Sequence, residues 1–200
     1  MKTSWKKLAG CLLIASTFLW IEESAVRAQD SPRVQEKELQ KKEVELEKSK
    51  VDLEKKKLEL EALKKELKAR ETEGRLTMNL QGDVLFDYGQ FELRPEAESA
   101  LEKVAVVISQ FPESNVLIRG YTDAKGPADA NLVLSQKRAA AVKRWLVKKG
   151  AVTETKIATE GLGEKDPVAE NKNTDGSDNP EGRQQNRRVE ITVEKPPTAK

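Results

Sequence analysis

The stretch VLIRGYTDAKGPADANLVLSQKRA, Val116–Ala139, decides the reading of this chain. Val116 to Tyr121 is a short β-branched and aromatic run, the composition of a strand. Gly126 and Pro127 break it. A helix is then expected from Asp129 or Asn131 to Lys149, closed by Gly150.

Outward from this unit, Leu76 to Phe86 reads as a strand, turning at Gln81-Gly82-Asp83. Pro95 suits the first turn of a helix. Ala97, Leu101, Val104, Ala105 and Ile108 make its apolar face, and Pro112 ends it. Ile157 to Gly161 is a further short strand. Asn171 to Gly182 reads as a polar loop. Arg188 to Val193 alternates Val189, Ile191 and Val193 with Glu190 and Thr192, as a half-buried strand does. The order is βαβαββ, which predicts an α+β sandwich with helices on one face of a mixed sheet.

Residues 33–73 differ in kind. They hold no Gly or Pro and consist mostly of Glu, Lys and Leu, good helix formers. Leu39, Leu46, Leu53, Leu60 and Leu67 recur every seven residues, as in a coiled coil, but the residues four further on are charged. A second stripe, Val44, Val51 and Leu58, lies about 140° away. Two readings stand: a solvated helix held by Glu and Lys pairs, or a parallel oligomer packed on the leucines. Either way about 60 Å of helix is expected, a spacer with Gly74 as its stop.

Residues 1–28 have the form of a signal peptide. Lys2, Lys6 and Lys7 precede the apolar run Leu8–Ile21, and cleavage is expected after Ala28. The run is short for a membrane span. An uncleaved anchor is the alternative, and Leu8-Ala9-Gly10-Cys11 also has the form of a lipobox, though it precedes most of the apolar run. The expected organisation is therefore 1–28 signal peptide, 29–75 charged helical spacer, 76–195 globular domain and 196–200 disordered tail.

Composition excludes several functions. The net charge is +2, with no pull toward nucleic acid. There is no His, and the single Cys is Cys11 in the leader. A His-based nucleophilic triad and an ordinary zinc site are thereby ruled out, and neither a metal nor a cofactor is expected. Asp87 and Asp123 could serve a glycosidase as paired carboxylates, but nothing in their spacing requires it.

Six strings in this order carry a resemblance: Asp83-Val-Leu-Phe-Asp87, Leu93-Arg-Pro-Glu-Ala97, Gly120-Tyr-Thr-Asp123, Asn131-Leu-Val-Leu-Ser-Gln-Lys-Arg-Ala139, Gly161-Leu-Gly-Glu164 and Asn186-Arg-Arg-Val-Glu190. Together they resemble the OmpA-like C-terminal domain. The resemblance implies a non-catalytic domain that binds peptidoglycan through the diaminopimelate of the stem peptide, in the periplasm and associated with the cell wall, at the outer membrane in some family members. It assigns the ligand ammonium to Asp123 and the carboxylate to Arg138, with Asp87, Thr122, Asn131 and Arg187 lining or bracing the pocket. Leu134 lies four residues before Arg138, on the same helix face. Of the neighbours Arg187 and Arg188, the first is assigned to the site and the second to a structural ion pair. Trp145 is assigned to the core.

Two departures stand out. Tyr121 occupies a position where the family usually has His, and Tyr does not titrate near neutral pH. The 171–182 loop is longer than usual, either an extra pocket wall or a flexible excursion. The family also includes flagellar stator proteins and porins, but the apolar leader carries no acid and no barrel precedes the domain. The expectation is a periplasmic tether, with self-association through residues 33–73 and an envelope protein as further partners. The alternative is a helical rod that binds a partner protein, localised by the wall domain.

Overall fold

The computed structural model describes residues 32–72 and 74–195. The expected leader, its cleavage site, Cys11 and the 196–200 tail lie outside the described residues. These fall into two compact units, divided between Lys57 and Leu58.

Helix α1 spans Pro32–Glu66, and its residues up to Lys57 are the described part of the first unit. Leu39, Val44, Leu46, Val51 and Leu53 point into solvent, each more than half exposed. Loose pairs join Glu47 to Lys50 at 3.6 Å and Glu54 to Lys57 at 3.7 Å. Exposed pairs of this kind stabilise a helix by only about 0.3–0.5 kcal/mol each. Among the described residues, no helix is long and apolar enough to cross a membrane.

In the second unit the chain departs from expectation. The helix stops at Glu66, not near Gly74, because Leu67 turns inward and is 5% exposed. Lys68 takes a left-handed conformation, φ 49°, and the amide of Ala69 closes back on the Lys64 carbonyl at 2.8 Å. The next residues form β1, Arg70–Thr72, paired antiparallel with β2, Arg75–Gln81, around Gly74 at φ 75°. Leu60 and Leu63 also pack on the core. The boundary expected at 75/76 thus falls inside a compact unit that begins at Leu58.

The strand expected over residues 76–86 ends at Gln81. A single helical turn follows, α2, Gly82–Leu85, and Phe86 bridges to Leu93. Helix α3, Ala97–Ser109, buries Ala97, Leu101, Val104, Val107 and Ile108. Then come β3, Asn115–Tyr121, α4, Ala128–Lys148, and β4, Ile157–Gly163. The polar loop expected through Gly182 instead ends in α5, Pro180–Asn186, capped by Asn179, which accepts from the Gly182 amide at 2.9 Å. Strand β5, Arg188–Glu194, is the last element.

The sheet order is β1-β2-β5-β3-β4. Only β3 and β4 run parallel; the other neighbours are antiparallel. Register puts Met78 opposite Ile191 and Ile191 opposite Ile118, so one face is continuously apolar. Val142 and Leu146 of α4 and the buried face of α3 join that core, as the α+β expectation requires. The opposite face is polar: Thr77 meets Thr192 at 3.1 Å, and Arg119 meets Glu160 at 3.0 Å.

Two glycines set how closely α4 lies on the sheet. A Cβ on Gly120 would stand 2.2 Å from the Ser135 carbonyl oxygen, and one on Gly161 would stand 2.5 Å from the Gln136 amide. Ser135 Oγ fixes the contact by accepting from the Gly163 amide at 2.9 Å. This approach brings the end of β3 against the first turns of α4.

Candidate functional site

A cleft of about 210 Å³ opens where β3 ends. That is the space of about seven water molecules. One wall is Thr122 and Asp123, just past β3; the other is Asn131, Leu134 and Arg138 of α4. Asp83 and Arg187 close the floor, and Tyr88 and Lys125 stand at the rim.

The Asp123 side chain is only 8% exposed. Oδ1 accepts from the Lys125 amide at 3.1 Å, while Oδ2 takes Arg187 Nη1 at 2.8 Å. Arg187 is also held by Asp83 in a two-pronged pair, 2.9 and 2.7 Å. Forked pairs of this kind are strong and directional. Arg183 flanks Asp123 at 3.7 Å and pairs with Asp178. The floor is therefore a chain of alternating charge, Asp83, Arg187, Asp123.

Arg138 is different. It is 4% exposed, yet among the described residues no carboxylate lies within 4 Å of it. Its Nε donates to the Gln90 carbonyl at 2.9 Å and Nη2 to the Asp87 carbonyl at 3.4 Å. The guanidinium also sits over the Phe86 ring, 5.1 Å from its centre. Burial pushes its pKa down, against the pull of Asp83 and Asp123. A buried cation paired only with dipoles carries a desolvation cost that an incoming anion would relieve.

The structure places the remaining expected residues as follows. Thr122 Oγ1 is buried and has no hydrogen-bond partner among the described residues, while its amide donates to the Gly163 carbonyl at 2.8 Å. Asn131 Nδ2 points at the carbonyls of Asp123 and Lys125, at 3.2 and 3.3 Å, and at Glu164 Oε2, at 3.2 Å; it braces the loop. Leu134 gives the cleft an apolar patch. Arg187 is in the cleft, whereas Arg188 pairs with Glu190 at 2.8 Å. Trp145 is half-buried against the core.

Asp87 is a correction. Its carboxylate is 72% exposed, faces Arg94 at 3.6 Å and does not line the cleft. What Asp87 offers is its carbonyl, to Arg138. The reason is the turn after Phe86, which leads the side chain outward, with Gly89 at φ 72°.

Tyr121 also lies away from the cleft, on the open face of the sheet. Arg188 stacks on its ring at 3.6 Å and its hydroxyl donates to Glu190 at 3.3 Å. Burial and then the Glu190 charge push its pKa up to about 12. The 171–182 segment adds no wall to the cleft. It braces from behind, with Asn171 Oδ1 accepting from the Ala124 amide at 3.2 Å. Among the described residues, no group of three His, Cys, Asp or Glu side chains could hold a metal ion.

Sequence reasoning missed Asp83, which it read as a turn former. The Arg187 hydrogen bonds hold its carboxyl below the usual carboxylate range. A depressed folded value contributes stability above about pH 4, the unfolded value, and that contribution is lost as pH falls through the folded value. Thermal melts from pH 6 to pH 2 should therefore fall more steeply for the wild type than for Asp83→Asn. Parallel curves would show that the pair is not coupled to folding.

Residues 85–181 match the OmpA family. The chain is 40% identical over 112 residues to the peptidoglycan-binding protein ArfA of Mycobacterium bovis, a match covering 56% of this chain and 32% of that protein. The cell wall anchor of the T6SS from Pseudomonas aeruginosa aligns with a TM-score of 0.56 at 29% identity, over 64% of this chain and 87% of that one. A MotB-like protein from Desulfovibrio vulgaris aligns with a TM-score of 0.54 at 30% identity, over 64% and 78%. The chain spans about half or less of the length of the curated relatives it matches.

Proposed function

The chain belongs to the OmpA family, and from that premise we propose that it binds peptidoglycan through the diaminopimelate of the stem peptide, in the periplasm, and tethers an envelope component to the wall. The observation that carries this reading is Arg138, a buried guanidinium with no carboxylate partner among the described residues, sharing one cleft with Asp123. The free end of diaminopimelate bears an ammonium and a carboxylate on one carbon. The carboxylate meets Arg138, and the ammonium meets Asp123. A carboxylate has about four lone-pair sites, so Asp123 can keep Arg187 and the Lys125 amide and still accept the ammonium. Thr122 Oγ1 supplies a further polar contact, and Leu134 receives the aliphatic stem.

Nothing in this reading makes or breaks a bond. The likeness to a peptidoglycan-binding protein and to a cell wall anchor supports it. Two charge-assisted contacts contribute about 1.5–3 kcal/mol each, a modest affinity for one peptide. The wall repeats the peptide, and attachment of many chains to one wall does the rest.

The test is retention on purified sacculi, with free diaminopimelate as competitor. Wild type should be retained and displaced by diaminopimelate but not by 1,5-diaminopentane, which carries ammonium groups and no carboxylate. Asp123→Ala should weaken retention by about 2–5 kcal/mol, because the ligand ammonium loses its partner while Arg187 keeps only Asp83. Retention that diaminopimelate leaves unchanged, or that survives Asp123→Ala, would sink the assignment.

A further inference from the structure

Helix α1 presents two apolar stripes to solvent, and the charges beside them are not equivalent. We propose that residues 39–57 pair with the same residues of a second copy of this chain, parallel and in register, along Leu39, Leu46 and Leu53. The proposal is independent of wall binding.

Leu39 is 60% exposed, Leu46 57% and Leu53 55%, on a helix that buries none of them. In a parallel pair, the residue just before each seam leucine faces the partner residue five positions further on. On the leucine stripe those pairs are Glu45 with Lys50 of the partner subunit, and Asp52 with Lys57 of the partner subunit. Two-fold symmetry makes each of them twice. An antiparallel pair would instead set Glu45 and Asp52 against the same acids, and Lys50 and Lys57 against the same lysines.

The second stripe, Val44 and Val51, fails the same comparison. There the flanking pairs are Glu43 with Lys48 of the partner subunit, which attract, and Lys50 with Lys55 of the partner subunit, which repel. Glu47 and Glu54 would also fall in its seam. Charge thus selects the leucine stripe.

The seam has limits, which set its strength and extent. Glu38 would face Glu43 of the partner subunit, so complementarity begins only at Glu45. The positions between leucine layers are Lys42, Ser49 and Lys56, and polar residues in a seam fix register at the expense of stability. The pattern formally continues with Glu59 and Lys64, but Lys64 is committed to Glu61 at 2.8 Å and Glu71 at 3.3 Å. Pairing therefore ends near Lys57. It is weak, and it takes hold where chains are crowded.

Disulfide trapping reads this directly. Cells expressing the full chain with Cys11→Ser are treated with a mild oxidant and resolved without reductant. Leu46→Cys should give a covalent dimer, since in register the two thiols meet across the seam; Val51→Cys should not. The reverse result, or no dimer from Leu46→Cys, overturns the proposal. On the Leu46→Cys background, Glu45→Lys with Asp52→Lys should lower the dimer yield by at least about tenfold. Lys50→Glu with Lys57→Glu should do the same. Co-expression of the two variants should restore the dimer, as acid then meets base again. Variants that cross-link as well as their parent would overturn the charge argument. These substitutions exchange good helix formers at exposed positions, so the helix itself is kept.

Discussion

Arg138→Met should abolish retention on sacculi while leaving the fold about as stable as before. The loss in affinity should be about 2–5 kcal/mol, roughly 30- to 5,000-fold. The two halves of this expectation have one cause. Arg138 is buried against Phe86 and held by the carbonyls of Gln90 and Asp87, with no carboxylate within 4 Å among the described residues. Its charge is costly to bury, and an incoming anion offsets that cost. Replacing such a cation by an apolar group is often neutral or stabilising, so Arg138→Met, which keeps the stem, should melt at or above the wild-type temperature. Arg138→Lys should not rescue binding, because an ammonium cannot hold two carbonyls and a carboxylate in one planar fork. A variant that binds normally, or one that loses fold and binding together, would contradict this account.

Gly120→Ala should cost more than about 3 kcal/mol of stability, measured by denaturant melts. The added methyl would sit 2.2 Å from the Ser135 carbonyl oxygen, an atom of helix backbone that no rotamer change can move. To admit it, α4 must lift from β3. Lifting strains the Ser135 bond to the Gly163 amide and opens the cleft between Asp123 and Arg138. The effect is structural, so binding should fall even though no ligand-facing group has changed. A loss under about 0.5 kcal/mol, the level of an ordinary surface change, would show that the sheet and helix are not in the close contact described.

Much of this was legible in the sequence, where the pattern is local. Leu101, Val104 and Ile108 recur on one helical face, and Val189, Ile191 and Val193 alternate as a strand must. What was hidden is of two kinds. Strand β1 has no alternation to betray it, since Arg70, Glu71 and Thr72 are all exposed. Short polar edge strands are how sheets avoid further pairing, and here the Lys- and Glu-rich composition of α1 runs straight into one. Helix α5 did carry a signal, Asn179 before Pro180, a cap followed by the residue that suits a first turn. The surrounding Asn, Asp and Gly concealed it. The site divides in the same way. Asp123 and Arg138 sit within one strand-loop-helix unit, and the resemblance to the family singled them out there. Asp83 and Arg187 meet across 104 positions, which no local rule spans.

The hairpin of β1 and β2 has a mechanical consequence for any tether. A pull arriving along α1 reaches Leu67 and then the free end of β1. Arg70 opposite Thr77 is the outermost pair, and Thr72 opposite Arg75 lies next to the turn. Tension applied there opens the ladder one rung at a time, as a zipper runs, instead of shearing all rungs together. The rungs yield early and release about 20 Å of slack at some 3.3 Å per residue, while β2 stays clamped to β5 and the cleft is undisturbed. Single-molecule pulling should register a small first extension ahead of the main rupture, the trace of a shock absorber set between anchor and line.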